Sequence, residues 1–109
     1  MRVEGITIRL METADTSYFP QIKSEFKENG HHGDYFFFVI LDVNQQIVGC
    51  FVAKKKEVKV LIKKFYFLDD VKEEDKRTFK NAAFSNLYEY IKCIKSCDGK
   101  RVFYQVSIV

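Results

Sequence analysis

Seven consecutive apolar residues, Tyr35–Leu41, constrain the fold more than any other part of this sequence. The run is much too short to span a bilayer. A strand that carries no polar residue at alternate positions is typical of one that is covered on both faces. We therefore predict a strand here that is buried on both sides, and we expect no membrane association.

Further strands are predicted on both sides of this run, from the alternation of apolar and polar residues. Residues 4–11 alternate apolar and polar side chains, which predicts a first strand. Gln46–Ala53 and Glu57–Leu68 predict two strands that form an antiparallel meander with Tyr35–Leu41, with turns between them. A final strand is predicted over Val102–Val109.

The first predicted helix runs from about Ser17 to Asn29, with apolar residues at helical spacing. The residues before it, Thr13–Ser17, are rich in side chains that cap helices. Pro20 fits the first turn, where a backbone N–H has no helical partner. Gly30 predicts the end of the helix.

The second predicted helix is long, from Asp69-Asp70 to about Ser96. Asp70 and Glu73 have the spacing of a capping box. Its apolar stripe consists of Phe79, Ala83, Leu87, Tyr90, Ile91 and Ile94.

These elements give the order β-α-β-β-β-α-β, an α/β (α+β) fold with helices packed on a mainly antiparallel sheet. The 109 residues allow a single domain, 1–109. The net charge of +3 is too small for a protein dedicated to nucleic acid or anionic membranes. The N-terminus lacks a signal-peptide pattern, and three cysteines are an odd count, so we expect free thiols and a cytoplasmic location.

Two cysteines, Cys93 and Cys97, share one face of the second helix because they are four residues apart. Buried or half-buried thiols explain this spacing. The alternative is a metal site that joins them to His31 and His32. We predict no metal site.

The segment 54–64 contains six lysines and one glutamate, so the remainder of the chain carries about −2. One interpretation is an anion site for a phosphate, an acidic protein or nucleic acid. The other is a solvated sheet face together with a sheet edge that the lysines protect against aggregation. We favour the second interpretation, and we expect no nucleic-acid partner.

Element order and segments together resemble the GNAT superfamily of acyl-CoA-dependent N-acyltransferases over nearly the whole chain. Ile6–Leu10, followed by Thr-Ala-Asp, resembles the family's opening strand and first-helix entry. Gln46–Gly49 resembles its I-V-G strand, and Phe65–Phe67 resembles the end of its fourth strand. Ala82–Lys92 resembles the helix after the cofactor loop, and Val102–Ser107 resembles its fifth strand.

The resemblance implies acetyl-CoA as cofactor and N-acetyl transfer as the reaction. Family members hold the CoA pyrophosphate on a loop of the type Gln/Arg-x-x-Gly-x-Gly/Ala at a helix N-terminus. The matching stretch here, Asp75–Lys80, contains no glycine, and five carboxylates crowd the helix start. The cofactor loop is therefore divergent. The implied cofactor-binding residues are Phe65, Tyr66, Phe67, Lys76, Arg77, Thr78 and Lys80.

A carboxylate on the fourth strand often serves as general base in the family, but Lys63 and Leu61 stand at those positions. The available bases are His31, His32 and Glu57. The family's general acid is usually a tyrosine that follows the fifth strand. This sequence ends with the fifth strand and does not contain that tyrosine.

The second possible function is a catalytically inactive GNAT-like module that binds a protein or regulates one. The third possible function is the binding of anionic partners through residues 54–64.

The last segment, Arg101–Val109, is apolar and rich in residues that favour strands. Without a following hairpin it would form an open sheet edge, and open edges pair with other chains. We expect a homodimer through this strand, with a different protein partner as the second choice.

Overall fold

Five strands form one sheet in the order in which they occur in the chain. The computed structural model describes residues 5–30, 33–56, 59–97 and 105–108, with side chains up to residue 90. The first three pairings are antiparallel, and the last is parallel. The mainly antiparallel sheet is therefore confirmed. The strands are β1 (Thr7–Leu10), β2 (Tyr35–Leu41), β3 (Ile47–Lys56), β4 (Lys59–Phe67) and β5 (Gln105–Ile108).

Both faces of β2 are covered, as its unbroken apolar run predicts. Helix α2 (Glu73–Cys97) packs on one face, where Phe38 and Ile40 are fully buried with Leu87. On the opposite face, the segment between β1 and β2 covers Phe37 and Val39. The sheet is thus the middle layer of three, with an apolar core on each side.

The predicted helix Ser17–Asn29 is wrong in its first part. The chain forms two 3₁₀ helices, Thr13–Tyr18 and Pro20–Ile22, before helix α1 (Lys23–Asn29). Phe19 between them has a non-helical backbone (φ −134°, ψ 73°), and the following proline has no N–H to donate.

Local hydrogen bonds explain why Thr13–Ser17 forms a 3₁₀ helix instead of capping an α-helix. The hydroxyl of Thr16 donates to the Thr13 carbonyl at 2.7 Å, and that of Ser17 donates to the Ala14 carbonyl at 3.0 Å. Side chains of this kind compete with the α-helical hydrogen-bond pattern. Gly30 ends α1 as predicted, since its amide donates to the Phe26 carbonyl at 2.7 Å.

Helix α2 begins at Glu73, so the predicted capping box between Asp70 and Glu73 is wrong. Asp70 lies in a turn in which the Val71 amide donates to the Leu68 carbonyl at 3.1 Å. The carbonyl of Lys72 accepts the first helical hydrogen bond. The apolar stripe is confirmed at Phe79, Ala83, Leu87 and Tyr90, which pack on the sheet; the side chains of Ile91 and Ile94 lie outside the described residues.

The β3–β4 hairpin is longer than predicted. The turn expected at Lys54–Lys56 is part of β3, because Lys54 pairs with Leu61 and Lys56 pairs with Lys59. The first strand is shorter than residues 4–11, and its Leu10 is 50% exposed. In the described part of the chain, no helix is long and apolar enough to cross a bilayer.

Candidate functional site

Strand β4 carries a bulge close to the point where its parallel neighbour ends. Val52 pairs with Lys64 and Ala53 pairs with Ile62, so Lys63 has no partner residue on β3. On the other side of β4, the pairing with β5 ends at Ile62. Among the described residues, the edge of β4 from Lys63 to Phe67 faces no strand. A bulge next to an unpaired edge is a common way to present backbone groups at a functional site.

The three aromatic residues predicted to bind a cofactor lie on both faces of this strand. Phe65 and Phe67 are on the α2 side, with stacked rings whose centroids are 6.1 Å apart. Tyr66 packs into the core cluster on the opposite face. The structure therefore brings Phe65 and Phe67 together and separates them from Tyr66.

Two of the predicted basic residues of α2 cover these rings. The Nζ atom of Lys76 lies 5.9 Å from the centroid of Phe67, and that of Lys80 lies 5.7 Å from the centroid of Phe65. These are cation–π distances. Lys76 also donates to Glu73 Oε1 at 2.7 Å, which lowers the pKa of that carboxyl group.

Arg77 and Thr78, the other two predicted residues of α2, are exposed in the first turns of the helix. Thr78 projects on the other side of the helix from Lys80, whereas Arg77, three residues before Lys80, is its neighbour on the helix surface. The four polar residues are thus close in sequence, but only Lys76 and Lys80 lie over the β4 aromatics.

The start of α2 is strongly acidic. Glu73, Glu74 and Asp75 form its exposed first turn, and Asp69 and Asp70 precede it. Carboxylates at this end stabilise a helix by compensating its dipole, and they oppose the approach of a phosphate. No glycine stands in this segment to allow close approach of the backbone to a ligand.

A cavity that the sequence did not suggest lies at the same end of β4, beside the β2–β3 turn. It has a volume of about 750 Å³ and is open to solvent. The Asp42 carboxylate holds that turn, accepting hydrogen bonds from the amides of Asn44 (2.8 Å) and Gln46 (3.0 Å). Pattern analysis missed the cavity because its residues come from four separate segments. Its polar lining includes Arg9, Tyr18, Asp42, Gln46 and Asp70.

The candidate general bases His31, His32 and Glu57 lie outside the described residues, and so do the side chains of Cys93 and Cys97. Cys50 is free and fully buried in β3. Burial raises the pKa of its thiol to about 12. A thiol in this environment is not a nucleophile at neutral pH.

No family model and no curated protein matches this sequence. Solved structures do match it. A chimera of the spermidine N-acetyltransferase SpeG from Vibrio cholerae and hSSAT is 13% identical, with 81% of this chain and 66% of that chain covered and a TM-score of 0.63. SpeG from Vibrio cholerae in complex with manganese is 13% identical, with 81% and 64% covered and a TM-score of 0.60.

A protein of Sphaerobacter thermophilus assigned as an acetyltransferase is 9% identical, with 99% of this chain and 69% of that chain covered and a TM-score of 0.66. This chain spans about two thirds of the length of the SpeG structures. At these identities the likeness establishes the fold alone. The chain has the fold of the GNAT acetyltransferases.

Proposed function

We propose that this chain is an acyl-CoA-dependent N-acetyltransferase with a divergent cofactor site. The observation that supports it best is the open edge of β4 at Lys63–Phe67, beside the bulge. The pantetheine arm of CoA contains amide groups, and an open strand edge can pair with such groups as it would with another strand.

The reaction would be direct transfer. The neutral amine nitrogen attacks the thioester carbonyl, the C–N bond forms, and the C–S bond breaks to release the CoA thiolate. The proton that the nitrogen loses passes to the proposed base and from there to the thiolate. Backbone N–H groups near the β4 bulge would polarise the carbonyl. His31, His32 and Glu57 are the proposed bases for the amine.

For the phosphates we propose side-chain contacts from α2. Lys76, Arg77, Thr78 and Lys80 supply cationic groups and a hydroxyl there, and the glycine cradle is replaced by these groups. The carboxylates of Glu73 and its neighbours oppose this binding. We therefore expect weak affinity that falls as salt rises.

As acceptor we propose a small amine. Spermidine is the first compound to test, because the SpeG neighbours are spermidine N-acetyltransferases. Asp42 and Asp70 are among the residues that line the cavity at the end of β4, and their negative charge suits a polycation, while the charge of Arg9 in the same lining is paired with Asp15.

Calorimetric titration with acetyl-CoA, followed by detection of released CoA thiol in the presence of spermidine, tests the proposal. Binding should weaken in the double variant Lys76→Gln/Lys80→Gln. The matched control is Lys23→Gln/Lys27→Gln, which removes two exposed lysines of α1. Absence of heat and of any thermal shift at about millimolar cofactor would contradict the proposal, since a ligand at that excess stabilises its receptor measurably.

The second candidate function is an inactive GNAT-like module that acts as a homodimer through β5. The acidic, glycine-free start of α2 favours it, because this feature opposes cofactor binding. Light scattering over a range of protein concentrations separates the two. A dimer that does not bind acetyl-CoA supports the module, whereas cofactor binding with acetyl transfer supports the enzyme.

A further inference from the structure

Four lysines of the β3–β4 hairpin project from one face of the sheet. Lys56 pairs directly with Lys59, Lys54 pairs with Leu61, and Lys64 pairs with Val52. Val52 belongs to the core cluster opposite α2, so alternation along the strands places all four lysines on that face. We call Lys54, Lys56, Lys59 and Lys64 the lysine face.

The positive charge of the lysine face is not compensated within the described residues. None of its four ammonium groups has a carboxylate oxygen within 4.0 Å there. Like charges directly opposite each other on neighbouring strands destabilise a sheet. The chain therefore keeps a repulsive pair, Lys56 and Lys59, at a position where a glutamate on one strand would have stabilised the hairpin.

Protection of a sheet edge does not explain three of these four residues. β4 is flanked by β5 from Lys59 to Ile62, and β3 lies between β2 and β4. The expectation that the lysines guard an exposed edge is therefore wrong for Lys54, Lys56 and Lys59. The solvated sheet face remains as one interpretation, and the uncompensated, directly opposed charges favour a binding role.

The spacing fits an extended acidic peptide. Residues two apart on a strand are about 6.6 Å apart, and adjacent strands are about 4.8 Å apart, so Lys54 and Lys56 match alternate side chains of an extended segment. The aromatic rings near the lysines already make contacts within the protein. The Nζ atom of Lys54 lies 5.2 Å from the centroid of the Tyr35 ring, and Tyr66 packs against the core cluster opposite α2. Among the described residues of this face, the two rings nearest the lysines are thus partly buried and in contact with other groups, which disfavours stacking of nucleic-acid bases on them.

From this juxtaposition we infer that the lysine face binds an acidic segment of a partner protein in an extended conformation. The inference is tested independently of acetyl transfer at Lys56 and Lys59, which lie outside both the β4 edge beyond Ile62 and the start of α2. The lysine side chains supply point charges to carboxylates, so recognition is electrostatic and tolerant of sequence.

Fluorescence anisotropy with a labelled peptide of alternating glutamate and serine, about eight residues long, tests the inference. Binding should weaken about tenfold in Lys56→Gln/Lys59→Gln and should fall as salt rises. The control Lys23→Gln/Lys27→Gln removes the same charge from α1 and should change the affinity less than about twofold. Thermal unfolding of each variant checks that it folds.

Three results would overturn the inference. The wild-type protein could fail to bind the peptide at low salt. The two double variants could weaken binding equally, which would indicate a response to net charge alone. A thymidine oligonucleotide of equal charge could bind more tightly than the peptide, which would indicate a nucleic-acid site instead.

Discussion

Arg9 of β1 and Asp15 of the first 3₁₀ helix form a two-point ion pair, with Nη1–Oδ2 and Nη2–Oδ1 distances of 2.7 and 2.9 Å. The Asp15 carboxylate also accepts a hydrogen bond from the backbone amide of Glu12 at 2.8 Å. The hydrogen bonds from Arg9, more than that from Glu12, lower the pKa of Asp15 in spite of its burial. This contact ties the segment after β1 to the sheet.

Replacement of Asp15 by asparagine should destabilise the protein at neutral pH by about 2 kcal/mol, as expected for hydrogen bonds to charged groups. Because the folded pKa is lowered, the stabilisation is complete above the unfolded value near 4 and is lost as pH falls through the folded pKa. Urea unfolding at a series of pH values should show the wild-type advantage shrinking in acid. The exposed Glu28→Gln variant serves as control, and an advantage of Asp15 that stays constant into strong acid would contradict the assignment.

Neighbouring residues of α2 provide a matched test of its packing. Leu87 is completely buried against the sheet, whereas Tyr88 is 50% exposed. Leu87→Ala should reduce the free energy of unfolding by about 3 kcal/mol, since it leaves a cavity. Tyr88→Ala should change it by less than about 0.5 kcal/mol. Equal effects in denaturant titrations would show that this face of α2 is misplaced.

Gly49 on β3 is required by close packing against the end of β4. A Cβ atom there would lie 2.8 Å from both the Tyr66 carbonyl oxygen and the Phe67 ring. Gly49→Ala should cost about 1–3 kcal/mol because neither neighbour can move freely. Gly33, where a Cβ atom would meet nothing within 4 Å, is the control. Thermal unfolding that ranks Gly33→Ala as the more damaging variant would contradict the packing.

The Cys50 thiol should resist alkylation in the native protein. It is fully buried, and burial raises its pKa to about 12, so almost no thiolate is present at pH 8. Iodoacetamide labelling followed by peptide mass spectrometry should find Cys50 modified only after addition of denaturant. Native labelling at a rate similar to that of the unfolded chain would refute its placement in the core.

Local sequence was sufficient for the elements whose own residues decide their structure. The bounds of β2, Tyr35–Leu41, are as predicted, because a purely apolar strand has only one stable environment. Gly30 ends its helix as expected. The apolar stripe of α2 from Phe79 to Tyr90 also faces the sheet, since its spacing already defines one side of a helix.

Features that depend on pairing with distant residues escaped prediction. The bulge at Lys63 exists only because β3 and β4 pair as they do, and nothing in the local sequence marks it. The ion pair of Arg9 with Asp15 likewise needs the folded chain, as does the cavity beside Asp42 and Asp70. At the candidate site, the sequence predicts a group of aromatic residues at the end of β4. Successive side chains of a strand point to opposite faces, so Tyr66 lies on the other face of the sheet from Phe65 and Phe67.

The parallel pairing of β4 with β5 has a consequence for the order in which the chain folds. Strands β2, β3 and β4 are joined by short turns and can pair early, whereas β5 reaches β4 only after the whole of α2 has crossed the sheet. The entropy of closing that long connection makes β5 the last strand to dock and the first to detach. Amide deuterium exchange should therefore be faster in Gln105–Ile108 than in Tyr35–Leu41.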